Sequence, residues 1–282
     1  MTARHLPAWF ILCACLLLGG CATTNVSLQE VREFADQSAK LGAYSELSTR
    51  FRDTYAREQL YLSPAADKVG KETDAKRHAV YDDFVSAQKV LVLYMQTLSL
   101  LAGDARYDLT PQLDDLGAGI QAHTEAGLQQ KHVVAYTGLT RLLTRAIASG
   151  YQGRSVETMV RDADHDVQLL LDAMLTLTRY YAKTNANEKK TILGMFDIEI
   201  PFAGRPQDRM LVTLAKVHYV NKSTEFKILD KRYDLAVQGL TKVAQGHQKL
   251  REHMNDLHGG EIKNILASYV RDLLIIRSGL GS

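Results

Sequence analysis

Asp162, His165 and Asp166 fall within one helical turn in the run "DADHD". Spacings of three and four residues would set His165 and Asp166 beside Asp162 on one helical face, as zinc and two-metal helices require. A metal shell needs more ligands than this, and no second group follows at matched spacing. The three residues are therefore weak metal candidates, and the expectation is no metal and no cofactor. His247 sits in an apolar row between Val243 and Leu250. It reads as a core imidazole held by one hydrogen bond. The sequence has no G-x-S-x-G elbow, no G-x-x-x-x-G-K phosphate loop and no H-E-x-x-H zinc helix. No catalytic residue is assigned, and the reading leans away from an enzyme without excluding a site that leaves no local motif.

The remaining chemistry is that of cysteine. Cys13, Cys15 and Cys21 are the only cysteines in the chain, and all lie in its first 21 residues. They accompany a secretory pattern: Arg4 at the positive start, an apolar stretch from Leu6 to Leu18, and small Gly19 and Gly20 before Cys21. That stretch is shorter than the roughly 20 residues of a spanning helix. Leu18-Gly19-Gly20-Cys21 resembles the lipobox of bacterial lipoproteins. The resemblance covers these first 21 residues only. It implies cleavage between Gly20 and Cys21, a diacylglycerol on the Cys21 sulfur, and often a further acyl chain on the new amine. Two chains give stable anchoring, since each buried methylene contributes about 0.8 kcal/mol. Ala22, rather than Asp, follows the cysteine, which in two-membrane cells implies transfer to the outer membrane, facing the periplasm. Processing at this site would remove the only tryptophan, Trp9, and leave no free thiol or disulfide.

The charge balance narrows the partners. The chain carries 34 basic and 32 acidic residues, and removing Arg4 with the leader leaves 33 against 32. The charges are interspersed, with no polybasic block, so nucleic acid is not an expected partner. The apolar stretch from Val90 to Leu101 is interrupted by Tyr94, Gln96, Thr97 and Ser99 and is read as core rather than as a second membrane segment.

Apolar periodicity sets the fold class. Val80, Phe84, Ala87, Leu91, Tyr94, Leu98 and Leu101 recur at 4-3 spacing. So do Val156, Val160, Ala163, Val167, Leu170, Met174, Leu177 and Tyr181. A third row runs from Leu229 through Tyr233, Ala236, Leu240, Val243, His247, Leu250 and Met254 to Leu257. Sustained 3.5-residue spacing means helices packed along their length. The expectation is an all-α, elongated antiparallel bundle with helices at 27–62, 64–102, 111–126, 129–149, 155–194, 206–257 and 259–278. Ser27 to Glu30 reads as a capping box, and Ser63-Pro64 and Thr110-Pro111 read as helix starts. Polar Gln37, Ser48 and Glu58 interrupt the row of the first helix. The long 206–257 helix changes register between Asn221 and Ile228, and Asn221 reads as a polar residue fixing register. Gly117, Gly119 and Gly127 mark a break, so 111–149 is either one kinked helix or a hairpin.

One segment departs from this pattern. In "FDIEIPF", Phe196, Ile198, Ile200 and Phe202 alternate with Asp197, Glu199 and Pro201. A two-residue period predicts an extended strand or loop with one apolar face, either covering the end of the bundle or docking a partner. A kinked 111–149 helix would place it near the membrane, and a hairpin would place it at the far end.

The domain expectation is a signal peptide at 1–20, an acylated cysteine and linker at 21–26, and one bundle domain at 27–282. The functional expectation is a lipid-anchored, non-enzymatic scaffold or interaction module that meets the membrane through its anchor and binds another envelope protein. The rival is a bundle with a small ligand or metal, possibly an enzyme, in an interhelical pocket. Replacing Cys21 by Ser is expected to abolish lipid labelling and membrane retention together. Unchanged palmitate incorporation in C21S would refute the lipobox assignment.

Overall fold

The three 4-3 rows supply the centre of the core. Every member of the 156–181 row is buried, as are Phe84 to Leu98 of the first row and Leu229 to Leu250 of the third. In the computed structural model, residues 28–40, 43–103, 108–117, 119–150 and 155–281 are described. The helices are α1 (Gln29–Ala39), α2 (Ala43–Arg52), α3 (Thr54–Glu58), α4 (Pro64–Leu101), α5 (Thr110–Asp114), α6 (Gln130–Ala148), α7 (Val156–Phe202), α8 (Arg209–Glu252) and α9 (Gly260–Leu280). No strand occurs among the described residues. The fold is the expected all-α bundle of long, heptad-patterned helices, with α7 packed chiefly on α8 and then on α6 and α4. Cys21, Gly20 and the rest of the leader, together with Ser27 of the expected capping box, lie outside the described residues.

Contacts fix the direction of each helix. Starting from Leu28, α1 sets Phe34 against Gly246 of α8, where the missing side chain makes room for the ring. Phe51 then stacks on Tyr181 at 4.7 Å, and Tyr61 meets Phe196 at 5.9 Å. The first segment thus climbs the bundle. Ser63 caps α4 by accepting a bond from Ala66 N at 3.4 Å, and α4 descends past Tyr181 to pair Tyr94 with His247. Next, α7 rises, α8 descends, and α9 rises again, bringing Gly279 to Leu235. The α7–α8 turn therefore stands at the end opposite Leu28, about 55 Å along α8 from Gly246 to Arg209.

Four expectations are corrected. The 27–62 helix is divided into α1, α2, α3 and a short 3-10 turn at Gln59–Tyr61. Its polar interruptions make contacts across the bundle: Ser48 Oγ donates to Tyr181 Oη at 3.5 Å, Gln37 Oε1 accepts from Arg277 at 2.8 Å, and Glu58 faces Arg77 at 3.9 Å. The 111–126 helix is only Thr110–Asp114, beginning one residue before Pro111 with Leu109 as its cap. Beyond it the chain climbs irregularly, with His123 on Asp83 at 2.6 Å, and turns at Gly127. Gly127 has φ +92 and lies against Thr176, so a side chain there would be both strained and obstructed. Residues 111–149 are thus neither a kinked helix nor a two-helix hairpin, but the ascending strap and descending α6 act as the hairpin case required. The expected 206–257 helix is Arg209–Glu252, entered through a 3-10 turn at Pro206–Asp208.

The fourth correction concerns Phe196 to Phe202, which is not extended: α7 continues to Phe202 with Pro201 in its last turn. Four residues apart is also one helical face, so an alternating row splits on a helix into two i,i+4 pairs. Phe196 and Ile200 turn inward onto a small core with Ile192, Leu193, Phe226 and Leu229. Ile198 and Phe202 turn outward, 62% and 83% exposed. The amide hydrogen that Pro201 lacks would have served only the carbonyl of exposed Asp197.

Candidate functional site

The "DADHD" residues do not assemble a metal site. Asp162 lies beside Arg161, His165 is exposed, and Asp166 packs against Gly138 of α6, with burial raising its pKa. Among the described residues no cluster of three or more His, Cys, Asp or Glu side chains is arranged to hold a metal. The residue of this run that does join a network is Asp164. His247 is fully buried, with Nδ1 3.3 Å from Asp164 Oδ1 and Nε2 2.7 Å from Tyr94 Oη. Gln168 Nε2 approaches Nδ1 at 3.4 Å. An Nδ1 proton directed to Asp164 leaves Nε2 to accept the Tyr94 hydroxyl. The hydrogen bond from His247 lowers the Asp164 pKa against the opposing effect of partial burial. Tyr94 is fully buried, so this Asp–His–Tyr chain offers a substrate no access to the phenol and instead fixes the register of α4, α7 and α8.

A second polar cluster separates the main core from the small core. Glu188 is 2% exposed. Arg57 donates from Nε and Nη2 to both its oxygens, at 2.8 and 2.9 Å, and Arg50 Nη2 adds a bond at 3.2 Å. Asn185 continues the layer by accepting from Arg50 at 3.4 Å and donating to Asp230 at 3.1 Å. Burial lowers the Arg50 pKa, with Glu188 opposing that shift. The sequence carried a signal for this layer. Past Tyr181 the α7 row takes a second step of four to Asn185 and then resumes 3-4 spacing through Glu188 and Ile192.

Beyond the small core, α7 and α8 form an arm. No residue from 197 to 225 is buried. Its outward side chains include Ile198, Phe202, Met210, Leu211, Leu214 and Val217, each more than half exposed. Between the two helices lies a groove of about 400 Å³ lined by Phe196, Ile200, Pro201, Tyr219 and Val220. Of the four residues expected to dock a partner, Phe196 and Ile200 therefore line this groove, while Ile198 and Phe202 lie on the outer side of α7. Tyr61 Oη meets His218 Nε2 at 2.8 Å where the arm leaves the bundle. A separate cleft of about 340 Å³ between α4 and α5 is lined by Gln88, Val92, Gln96, Gln112 and the Lys89–Asp115 ion pair.

By length and composition α4 could cross a membrane, but half of that window is buried within the bundle. Compared with known proteins, the chain matches no family model, no curated protein and no solved structure.

Four buried phenols make the fold alkali-sensitive, Tyr136 among them. Burial raises Tyr94 and Tyr181 well above the ordinary value of 10, and raises Tyr233 to about 12. Folding holds these protons more tightly than the unfolded chain does. Their contribution is complete below the unfolded pKa and is lost as pH rises from about 10 towards the folded values. Melting temperature is expected to be flat with respect to these groups from about pH 7 to 9.5. Above about pH 10, Tyr94, Tyr181 and Tyr233 alone should lower stability by up to about 4 kcal/mol per pH unit while their protons are held. Thermal melts across that range check this, and a flat profile to pH 11.5 would contradict it.

Proposed function

We propose that this protein is a lipid-anchored envelope protein that works by docking, with the α7–α8 arm as its contact element. The observation that carries this reading is the arm itself: 29 consecutive residues, 197–225, contain no buried side chain, yet the surface they present is rich in large apolar groups. Contiguous exposed apolar surface marks an interaction site on a soluble domain. An acyl group on Cys21 would sit seven residues before Leu28, within about 25 Å of it. The bundle would then stand on the membrane through its α1 end and carry the arm to the far end, towards a second envelope protein. In a two-membrane cell the anchor belongs in the outer membrane, with the bundle in the periplasm. This role needs no cofactor and no catalytic residue.

A second reading draws on the α4–α5 cleft. Gln88 Oε1 and Gln112 Oε1 are buried there without a protein partner, and about 340 Å³ is enough for a small polar ligand. Native mass spectrometry of protein taken from its own membranes would show a retained small molecule under this reading and none under docking alone.

The arm can be separated from the core by mutation. Ile198→Ser with Phe202→Ser alters only exposed side chains. It is expected to shift stability by no more than about 0.5 kcal/mol while reducing cross-linking to envelope partners. Phe196→Ala, inside the small core, is expected to cost about 3–5 kcal/mol. Undiminished cross-linking in the I198S/F202S variant would remove that side of the arm from the docking surface.

A further inference from the structure

The register change between Asn221 and Ile228 has a structural meaning: α8 carries two rows, and the outer one ends at Ile228 beside Leu229 of the inner one. Below Leu229 the inner row faces the main core. Above it that row continues through Phe226, Tyr219 and Ala215, facing α7. The other row is Met210, Leu214, Val217, Asn221, Thr224 and Ile228, again at 4-3 spacing, and all six residues are exposed. Leu211 and Val220 flank it and are exposed as well. In heptad terms Leu214, Asn221 and Ile228 take the a positions, and Met210, Val217 and Thr224 the d positions.

This outer row continues an interface that the fold already uses. In the same register it runs on to Leu235 and Lys242, which meet α9, with Lys231 and Gln238 between them exposed at its edge. Leu235 lies under Gly279, and Lys242 pairs with Asp272 at 2.8 Å. The described part of α9 ends at Leu280. From Ile228 to Met210, about 27 Å of the same helix-packing face is uncovered. The spacing calls for another helix in that place.

We propose that the uncovered row pairs in parallel with the same row of a second copy of this chain. The pairing is isologous: the row left free in one copy is the row that the other requires. Parallel register sets Asn221 against its counterpart, and a single a-position asparagine specifies a two-stranded register of this kind. Parallel pairing also brings the Leu28 ends of both copies to the same side, so two anchors can share one membrane. The inference rests on reading the arm as a docking element and identifies one occupant of its α8 face.

The test is disulfide trapping of the full chain in its own membranes, with unsubstituted protein as the background. Asn221→Cys is expected to form an oxidant-dependent species of twice the chain mass, at least about tenfold above Lys216→Cys, which lies off the row. Adding Leu214→Asp and Val217→Asp to N221C should abolish the dimer without changing the melting temperature. Three results would overturn the proposal: no dimer from N221C, equal yields from N221C and K216C, or trapping only between Met210→Cys and Ile228→Cys chains, which would mean antiparallel pairing. A conjugate of N221C with a different protein would also overturn self-pairing while keeping the arm as a docking element. Lipid labelling of the same samples tests the anchor separately.

Discussion

A carboxylate withdrawn from water in the middle of the longest described helix constrains the whole upper half of the molecule. Glu188 occupies an inward position of α7 where the 4-3 row calls for an apolar residue. A buried carboxylate is tolerated only when charge and hydrogen bonds replace its hydration. Arg57 grips both oxygens and Arg50 adds a third bond. Both arginines come from the segment that leads from α2 into α3. The position of that segment against α7 is therefore set by one carboxylate. Replacing the layer with apolar residues could preserve stability, but it would lose this requirement for a single register.

The layer divides the structure by composition. Below it, the main core takes in Phe34, Phe51 and Leu273 and is crossed by the Asp164–His247–Tyr94 chain, with Val160, Leu250 and Leu257 beyond it. Above it lies a core of five buried residues, Ile192, Leu193, Phe196, Phe226 and Leu229. Such a small core cannot order a long two-helix arm by itself. The polar layer and the Tyr61–His218 contact join the arm to the bundle. An arm held at its root and apolar at its surface can present a fixed face to a partner, because little of its order has to be supplied on binding.

Sequence reasoning reached those parts of this architecture that depend on periodicity. Three rows of 4-3 spacing give the fold class and the buried seams of α4, α7 and α8, including His247, but not the core faces of α6 and α9. Breaks were less legible where they depended on tertiary contacts, as in the division of 27–62, whose polar interruptions bond to distant helices. The alternation in "FDIEIPF" fits a helix as well as a strand, because a period of two contains a period of four. Which period applies depends on whether a hydrophobic partner awaits Phe196 and Ile200, and that partner, Phe226, lies thirty positions away on α8. Glu188 is not legible as a buried ion cluster in the sequence, because its arginines are more than 130 positions distant in the chain. The arm was legible only in part: its apolar residues can be read directly, but their exposure depends on what fails to cover them.

The central claim is that the Glu188 layer couples the arm to the bundle, and residue-resolved hydrogen exchange on the Glu188→Ala chain tests it most directly. Removing one partner of a buried, bonded charge cluster should cost about 3–5 kcal/mol. The account predicts that amides from about residue 185 to 229 lose protection by 100-fold or more, on the order of 3 kcal/mol at a tenfold change per 1.4 kcal/mol. Amides of α6 and α9, which do not touch the layer, should change far less. Protection in 185–229 equal to that of the unsubstituted chain, or a uniform loss across all helices, would contradict the account.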